Sequence, residues 1–291
     1  MSSSVKTAVF PVAGFGTRVL PATKAFPKEM LPVVDKPLIH YAVEQAVEAG
    51  IEKLVLVTGR NKQAMEDYFD IAYELDRTLE ERGKEDIRKS VREFLLEPGR
   101  IMYVRQMEPL GLGHAVWCAR HMAGDGPFLV MSPDDLIMSD VPSAKQLIDA
   151  HEETGGNVVA VMNVPREHTN RYGVLDTDNA EDKLPVVKGM VEKPDPADAP
   201  STLSIIAHYL LMPEVFDELA RHERGAGNEI QLTDAMARLI GKQPFHGLRF
   251  EGTRFDCGTK EGWLEANVAF GLKRADLGDK VADIVKRYAN T

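Results

Sequence analysis

The apolar positions at the start of the chain change their spacing twice. Residues 7–12 are an unbroken run of small and apolar side chains, the length of a buried strand. Residues 13–28 lose all periodicity and carry glycines and prolines, which predicts a long loop. Leu38, Ala42, Val43, Ala46, Val47 and Ala49 then recur at helical spacing. Pro37 opens that stretch, where its missing N–H costs little, and Gly50 closes it. Lys53–Thr58 (KLVLVT) reads as the next strand. Strand, loop, helix and strand in this order predict a βαβ unit with a right-handed crossover and parallel strands.

The alternation returns later. Ile101–Arg105 is a predicted strand, residues 112–123 a helix, 127–132 a strand, Ser143–Thr154 a helix and 157–164 a strand. Such repetition predicts a doubly wound, Rossmann-like α/β fold, its mixed sheet flanked by helices. Residues 61–100 interrupt it with Glu, Lys and Arg around apolar residues at surface-helix spacing, so one or two charged helices are expected to leave the sheet there. Past residue 165 short strands are predicted at 172–176, 186–192 and Leu203–Leu211, a loop at 194–200, and helices at 213–222 and 232–240. Residues 1–259 therefore read as one α/β domain, of which 165–259 form the less regular part. Residues 260–291 read as C-terminal helices. The last carries Val281, Ile284, Val285 and Tyr288 on one stripe. That stripe needs cover, either from its own domain or from a second subunit in a homodimer or homotetramer.

Composition narrows the function. The 291 residues are 44% apolar and 27% charged, with a net charge of −10. The acidic balance argues against bulk binding to nucleic acid or anionic lipid, but not against a basic pocket for a small anion. No apolar run reaches the length of a membrane span, and Pro11, Gly14, Gly16 and Arg18 interrupt the only stretch that resembles a signal peptide. With Cys118 and Cys257 the only cysteines, no disulfide framework or Cys-rich zinc site can form, and a reducing cytoplasm is the expected setting. No His lies near Cys257 to activate its thiol, and the eight histidines make no metal-spaced pair. His114 reads as part of a helix start.

The chemistry concentrates after the first predicted strand. Ala13-Gly14-Phe15-Gly16-Thr17-Arg18 is followed by Lys24 and Lys28. Glycines at the C-terminal edge of a strand let backbone N–H groups approach phosphates, and three cations follow within one loop. The dinucleotide fingerprint would need a glycine where Val19 stands, and the Walker ending Gly-Lys-Ser/Thr is missing, which disfavours an oxidoreductase and a P-loop enzyme.

The whole stretch, GFGTRVLPATKAFPKEMLPVVDKPLI, resembles the sugar-1-phosphate nucleotidyltransferases, in particular the bacterial UTP–glucose-1-phosphate uridylyltransferases. The resemblance covers essentially the whole chain and implies the nucleotide-diphospho-sugar transferase fold. It implies UTP and glucose 1-phosphate as substrates, UDP-glucose and pyrophosphate as products, and Mg2+ as cofactor. Ala13, Gly14, Gly16 and Thr17 would cradle the nucleotide, and Arg18 and Lys28 would neutralise its phosphates. Gln106 and the backbone at Gly111 would contact the uracil. From the segments Tyr172-Gly173-Val174 and Val191-Glu192-Lys193-Pro194, Gly173 would let the backbone approach the sugar ring, Glu192 would accept from the glucose hydroxyls and Lys193 would hold the sugar phosphate. Asp134, rather than Asp135, and Asp256 would bind the metal. Thr233 and Asp234 read mainly as a helix cap. Rival readings are a transferase for dTTP or another sugar, and a non-catalytic nucleotide-sugar-binding relative. The second conflicts with Arg18, Lys28, Asp134, Lys193 and Asp256 all being present.

Overall fold

The computed structural model describes residues 4–289. The first parallel strands are β1 (Thr7–Pro11), β2 (Lys53–Thr58), β3 (Ile101–Arg105) and β4 (Phe128–Met131), in the spatial order β3-β2-β1-β4. The unbroken apolar run of β1 follows from its central place. Val9 enters one core while Ala8 and Phe10 enter the core on the opposite face, so the strand has no polar side. The strand order reverses between β1 and β4, and α/β sheets bind ligands beyond the strand ends at such a reversal.

Five further strands complete a nine-stranded sheet: β6 (Asn157–Asn163), β7 (Gly173–Asp176), β8 (Gly189–Glu192), β9 (Leu203–Leu211) and β10 (Phe245–Arg249). The long strand β9 is the branch point. One edge runs antiparallel to β4 through residues 208–211 and to β7 at Ser204, and the other pairs with β6. β10 lies parallel to β6, so the sheet is mixed, as the alternation predicts. Outside it, β5 (Asp135–Met138) and β11 (Thr253–Asp256) form an antiparallel ribbon that sets Asp135 opposite Asp256. Neither ribbon strand nor β10 is predicted from the sequence pattern.

Helix α1 (Leu38–Glu48) buries Leu38, Ala42, Val43 and Ala46 of the positions read from its spacing and leaves Val47 and the C-cap Ala49 partly exposed, with Pro37 as the extended N-cap rather than the first helical residue. The charged excursion holds three helices instead of one or two: α2 (Gln63–Phe69), α3 (Tyr73–Glu81) and α4 (Glu85–Arg92). Asp76 of α3 receives Arg88 and Arg92 of α4, which fastens the pair. The helix expected over 112–123 divides at Ala119 into α5 (Leu112–Cys118) and α6 (Arg120–Ala123). α7 (Ser143–Thr154) matches expectation, while the next two shorten to α8 (Val215–Leu219) and α9 (Leu232–Ala237).

Helix α10 (Lys260–Lys273) packs with the ribbon in a third apolar cluster that includes Phe255, Cys257 and Ala266. α11 (Gly278–Ala289) lies on α10, where Val281 fills the space left by Gly271. Ile284 and Val285 on the same stripe stay largely exposed. No helix among the described residues is long and apolar enough to cross a membrane.

Candidate active site

A cleft of about 830 Å³ opens beyond the ends of β1 and β4. It is lined by Ala13, Gly14, Thr17, Arg18, Lys28, Gln106, Gly111, Asp134, Gly173, Glu192, Lys193 and Asp256, drawn from segments far apart in sequence. Gly16, the one remaining residue expected at the site, sits just behind this wall. Its φ of 64° starts a short turn over Thr17–Val19, and a Cβ there would lie 2.9 Å from Cβ of Lys28. The loop can therefore fold onto the lysine only with glycine at this position.

At the charged end of the cleft, Lys28 Nζ donates to Asp134 Oδ2 at 2.5 Å. Burial works against both ions, yet the mutual attraction wins. It holds Asp134 below the ordinary carboxylate range and, with help from Glu29, raises Lys28. Arg18 Nη1 stands 4.0 Å from Asp256 Oδ2 and is mostly exposed. Asp256 behaves in the opposite way to Asp134. Burial and then the neighbouring Asp135 charge push its carboxyl up, and Arg254 and Arg18 only partly offset them.

The two acids meet at Gly258. A Cβ there would lie 2.9 Å from Asp134 Oδ2, 3.0 Å from Asp256 Oδ1 and 3.1 Å from Arg18 Nη2. The missing side chain leaves a space bounded by two carboxylates at the edge of the cleft. Among the described residues no cluster of three or more His, Cys, Asp or Glu is arranged to hold a metal. Two carboxylates suit a hard cation that takes its other oxygens from substrate and water, as Mg2+ does, and do not suit a closed structural site. Asp135 is otherwise engaged. Its Oδ1 receives Arg254 Nε at 2.5 Å and its Oδ2 receives the Ala207 N–H at 2.9 Å.

The second region lies across β7, β8 and the start of α9. Glu192 Oε2 accepts from Thr233 Oγ1 at 2.6 Å, and Lys193 Nζ lies 3.4 Å from Glu192 Oε1. Lys193 takes a positive φ of 49° as β8 ends, an uncommon backbone state for a residue with a side chain. The Thr233 hydroxyl corrects the cap reading. α9 begins from Gln231 without any side-chain cap, and Thr233 instead orients Glu192. Gly173 has a related part, since a Cβ on it would come within 2.9 Å of Thr233 Oγ1. Asp234 is no cap either, and burial raises its carboxyl.

The third region is nearly uncharged. Gln106 Nε2 donates to the Gly111 carbonyl at 3.1 Å and lies 3.0 Å from His114 Nδ1. Gly111 has φ 108°, and a Cβ on it would come within 2.7 Å of Glu229 Cβ and 2.9 Å of the Ile230 carbonyl. Only glycine lets segment 229–231 close against the start of α5.

A family model described as Nucleotidyl transferase matches residues 8–271. The chain belongs to the nucleotidyl transferase family. Among curated relatives, the UTP–glucose-1-phosphate uridylyltransferase of Komagataeibacter xylinus is 53% identical over 260 residues, covering 89% of this chain and 92% of that protein. The Bacillus subtilis protein of the same name is 46% identical over 286 residues, covering 98% of each. Among solved structures, a UDP-glucose pyrophosphorylase complexed with UDP-glucose is 43% identical, covers 93% of this chain and 100% of its own, and superposes with a TM-score of 0.84. A UTP-bound UGPase from Acinetobacter baumannii is 38% identical, covers 98% and 99%, and has a TM-score of 0.90.

Within this cleft the sequence pattern misses several participants. Arg254 stacks over Tyr172 at 5.4 Å and donates to its hydroxyl at 3.3 Å while holding Asp135. Lys62 Nζ donates to Glu29 Oε2 at 2.7 Å, a buried pair that pins the turn carrying Lys28 to the residues after β2. Burial raises Glu29 despite Lys62 and Lys28. Cys257 is fully buried, which pushes its thiol up and removes it as a nucleophile.

Proposed function

We propose that this protein transfers a uridylyl group from UTP to α-D-glucose 1-phosphate, giving UDP-glucose and pyrophosphate. The observation that carries this is one cleft joining a cationic glycine loop, two converging acids, an amide-lined neutral end and the Glu192–Lys193 region. Relatives of the corresponding name, 46–53% identical over most of the chain, support it.

The attacking group is a phosphate oxygen of the sugar phosphate. A phosphate monoester has its second pKa near ~6, so the nucleophile is already anionic at neutral pH and needs no general base. The difficulty is repulsion between polyanions, about 4 kcal/mol for two unit charges ~4 Å apart at an effective dielectric near 20. The backbone of Ala13, Gly14, Gly16 and Thr17 would embrace the triphosphate. Lys28 would leave Asp134 for the phosphates, and Arg18 would neutralise the departing pyrophosphate. Lys193 would hold the attacking phosphate in line, and Glu192, oriented by Thr233, would read the sugar hydroxyls. Gln106 and the Gly111 backbone would contact the base. Asp134 and Asp256 would hold a magnesium ion, which supplies charge neutralisation between the two phosphates when bound.

We place the reaction in the cytoplasm, which suits the two free thiols, and we assign the exposed Ile284–Val285 stripe to a homodimer or homotetramer contact. Pyrophosphate release, followed with UTP, dTTP and CTP against several sugar 1-phosphates, tests the assignment. Preference for UTP with glucose 1-phosphate, lost on adding EDTA, is expected. Preference for dTTP or another sugar moves the protein elsewhere in the family, and absence of turnover with every pair sinks the enzymatic reading.

A further inference from the structure

We infer that His114 is a positioning residue: its Nδ1 fixes the Gln106 amide so that the carbonyl oxygen alone faces the nucleobase, which selects uracil over cytosine. The inference rests on the reading that the cleft takes UTP.

Gln106 is 8% exposed and forms part of the cleft wall. A side-chain amide has two faces, one that donates and one that accepts, and it exchanges them by turning over. Here the Gly111 carbonyl lies 3.1 Å from one of its terminal atoms. A carbonyl can only accept, so that atom is the NH2 nitrogen. The second hydrogen of the same nitrogen has His114 Nδ1 at 3.0 Å. Nδ1 must therefore be the acceptor, and the ring carries its proton on Nε2, 3.9 Å from Cys118 Sγ. Both amide hydrogens are used, and only Oε1 is left for a ligand. Burial, and then the neighbouring His222, favour the neutral ring that this arrangement needs, and they outweigh the opposing pull of the Glu108 charge and backbone.

Uracil carries a hydrogen on N3, and cytosine carries a lone pair there. An amide locked with its oxygen outward accepts from the first and repels the second. Without Nδ1 the amide retains one anchor, the Gly111 carbonyl, and can turn its NH2 toward a cytosine N3 at the loss of a single bond.

The test compares wild type, His114→Leu and His114→Asn, all checked for folding by thermal melting. Equilibrium binding of UTP and CTP is measured by calorimetry, and kcat/KM from pyrophosphate release. Asparagine offers an amide oxygen near the position of Nδ1, and leucine offers no acceptor. His114→Leu is expected to lose about tenfold or more of the preference for UTP over CTP, mainly through tighter CTP binding, while His114→Asn keeps it within about threefold. Undiminished preference in a folded His114→Leu overturns the proposal. So does equal loss in both variants, which marks a space-filling role. Should the leucine variant not fold, 15N NMR of histidine-labelled wild type decides. A protonated Nε2 with a bare Nδ1 on His114 supports the proposal, and the opposite tautomer ends it. Failure of the wild type itself to bind UTP is a separate result that removes the uridylyl-transfer reading underneath.

Discussion

The two ends of the cleft satisfy their polar groups in opposite ways. At the charged end the functional groups hold one another: Lys28 lies on Asp134, and Arg18 approaches Asp256. On the uridylyl-transfer reading, incoming phosphates would break these contacts and replace them. At the neutral end Gln106 is held by Gly111 and His114, groups that need not move, and one acceptor is left over. On that reading the charged end would exchange partners, whereas the neutral end would serve as a fixed template. Substitutions at the first should act on turnover, and at the second on choice of substrate.

The largest expected effect breaks the exchange. Lys28→Ala or Asp134→Ala should lower the rate of pyrophosphate release by about two to four orders of magnitude. Near-wild-type turnover in a folded variant would contradict the roles given to both. Gly258→Ala inserts a methyl between two carboxylates and Arg18. A displacement of that kind should cost about a hundredfold in kcat with the fold intact, and an unchanged kcat would mean that the acids do not act together. Thr233→Val leaves Glu192 without its hydroxyl donor and should raise KM for the sugar phosphate about tenfold while sparing kcat. A variant altered only in KM for the nucleotide would detach Glu192 from the sugar.

The smallest effect concerns stability and separates the two acids. Asp256 has its pKa raised above the ordinary 3.8, by burial first, so its ionised form opposes folding. That cost is fully present above the folded pKa and vanishes as pH falls below the unfolded value. Asp256→Asn should therefore raise the melting temperature of the substrate-free protein by about 2 °C at pH 7, with the gain fading as pH falls through the raised folded pKa toward 3.8. Asp134, held low by Lys28, has the opposite sign, and Asp134→Asn should destabilise at pH 7 by leaving the lysine charge without its partner. Equal shifts for both variants would abolish the distinction.

Much of this molecule is legible in its sequence because the signals are local. The strands β1 to β4 announce themselves as apolar runs between Gly and Pro, and the glycine loop with its cations marks one wall of the cleft. The ribbon of β5 and β11 does not, because β5 follows β4 after only three residues and β11 (TRFD) is mostly polar. Thr233 beside Asp234 at a helix start has the composition of a cap, and only the approach of β8 reveals its bond to Glu192. Glu29 and Lys62 look like ordinary surface charges in polar stretches. Their burial as a pair follows from the packing of two distant turns. The Arg254–Asp135 pair spans 119 positions, a separation at which sequence spacing carries no information.

The ribbon has a consequence for how the protein is made. Asp134 leaves β4 early in the chain, but its partner acid arrives only with β11, after every strand of the sheet has been synthesised. A nascent chain on the ribosome can carry the glycine loop and the Gln106 wall long before it owns a second acid. On the proposed reading, the last strand to emerge is the one that would arm the enzyme, and a polypeptide released before it would be chemically mute.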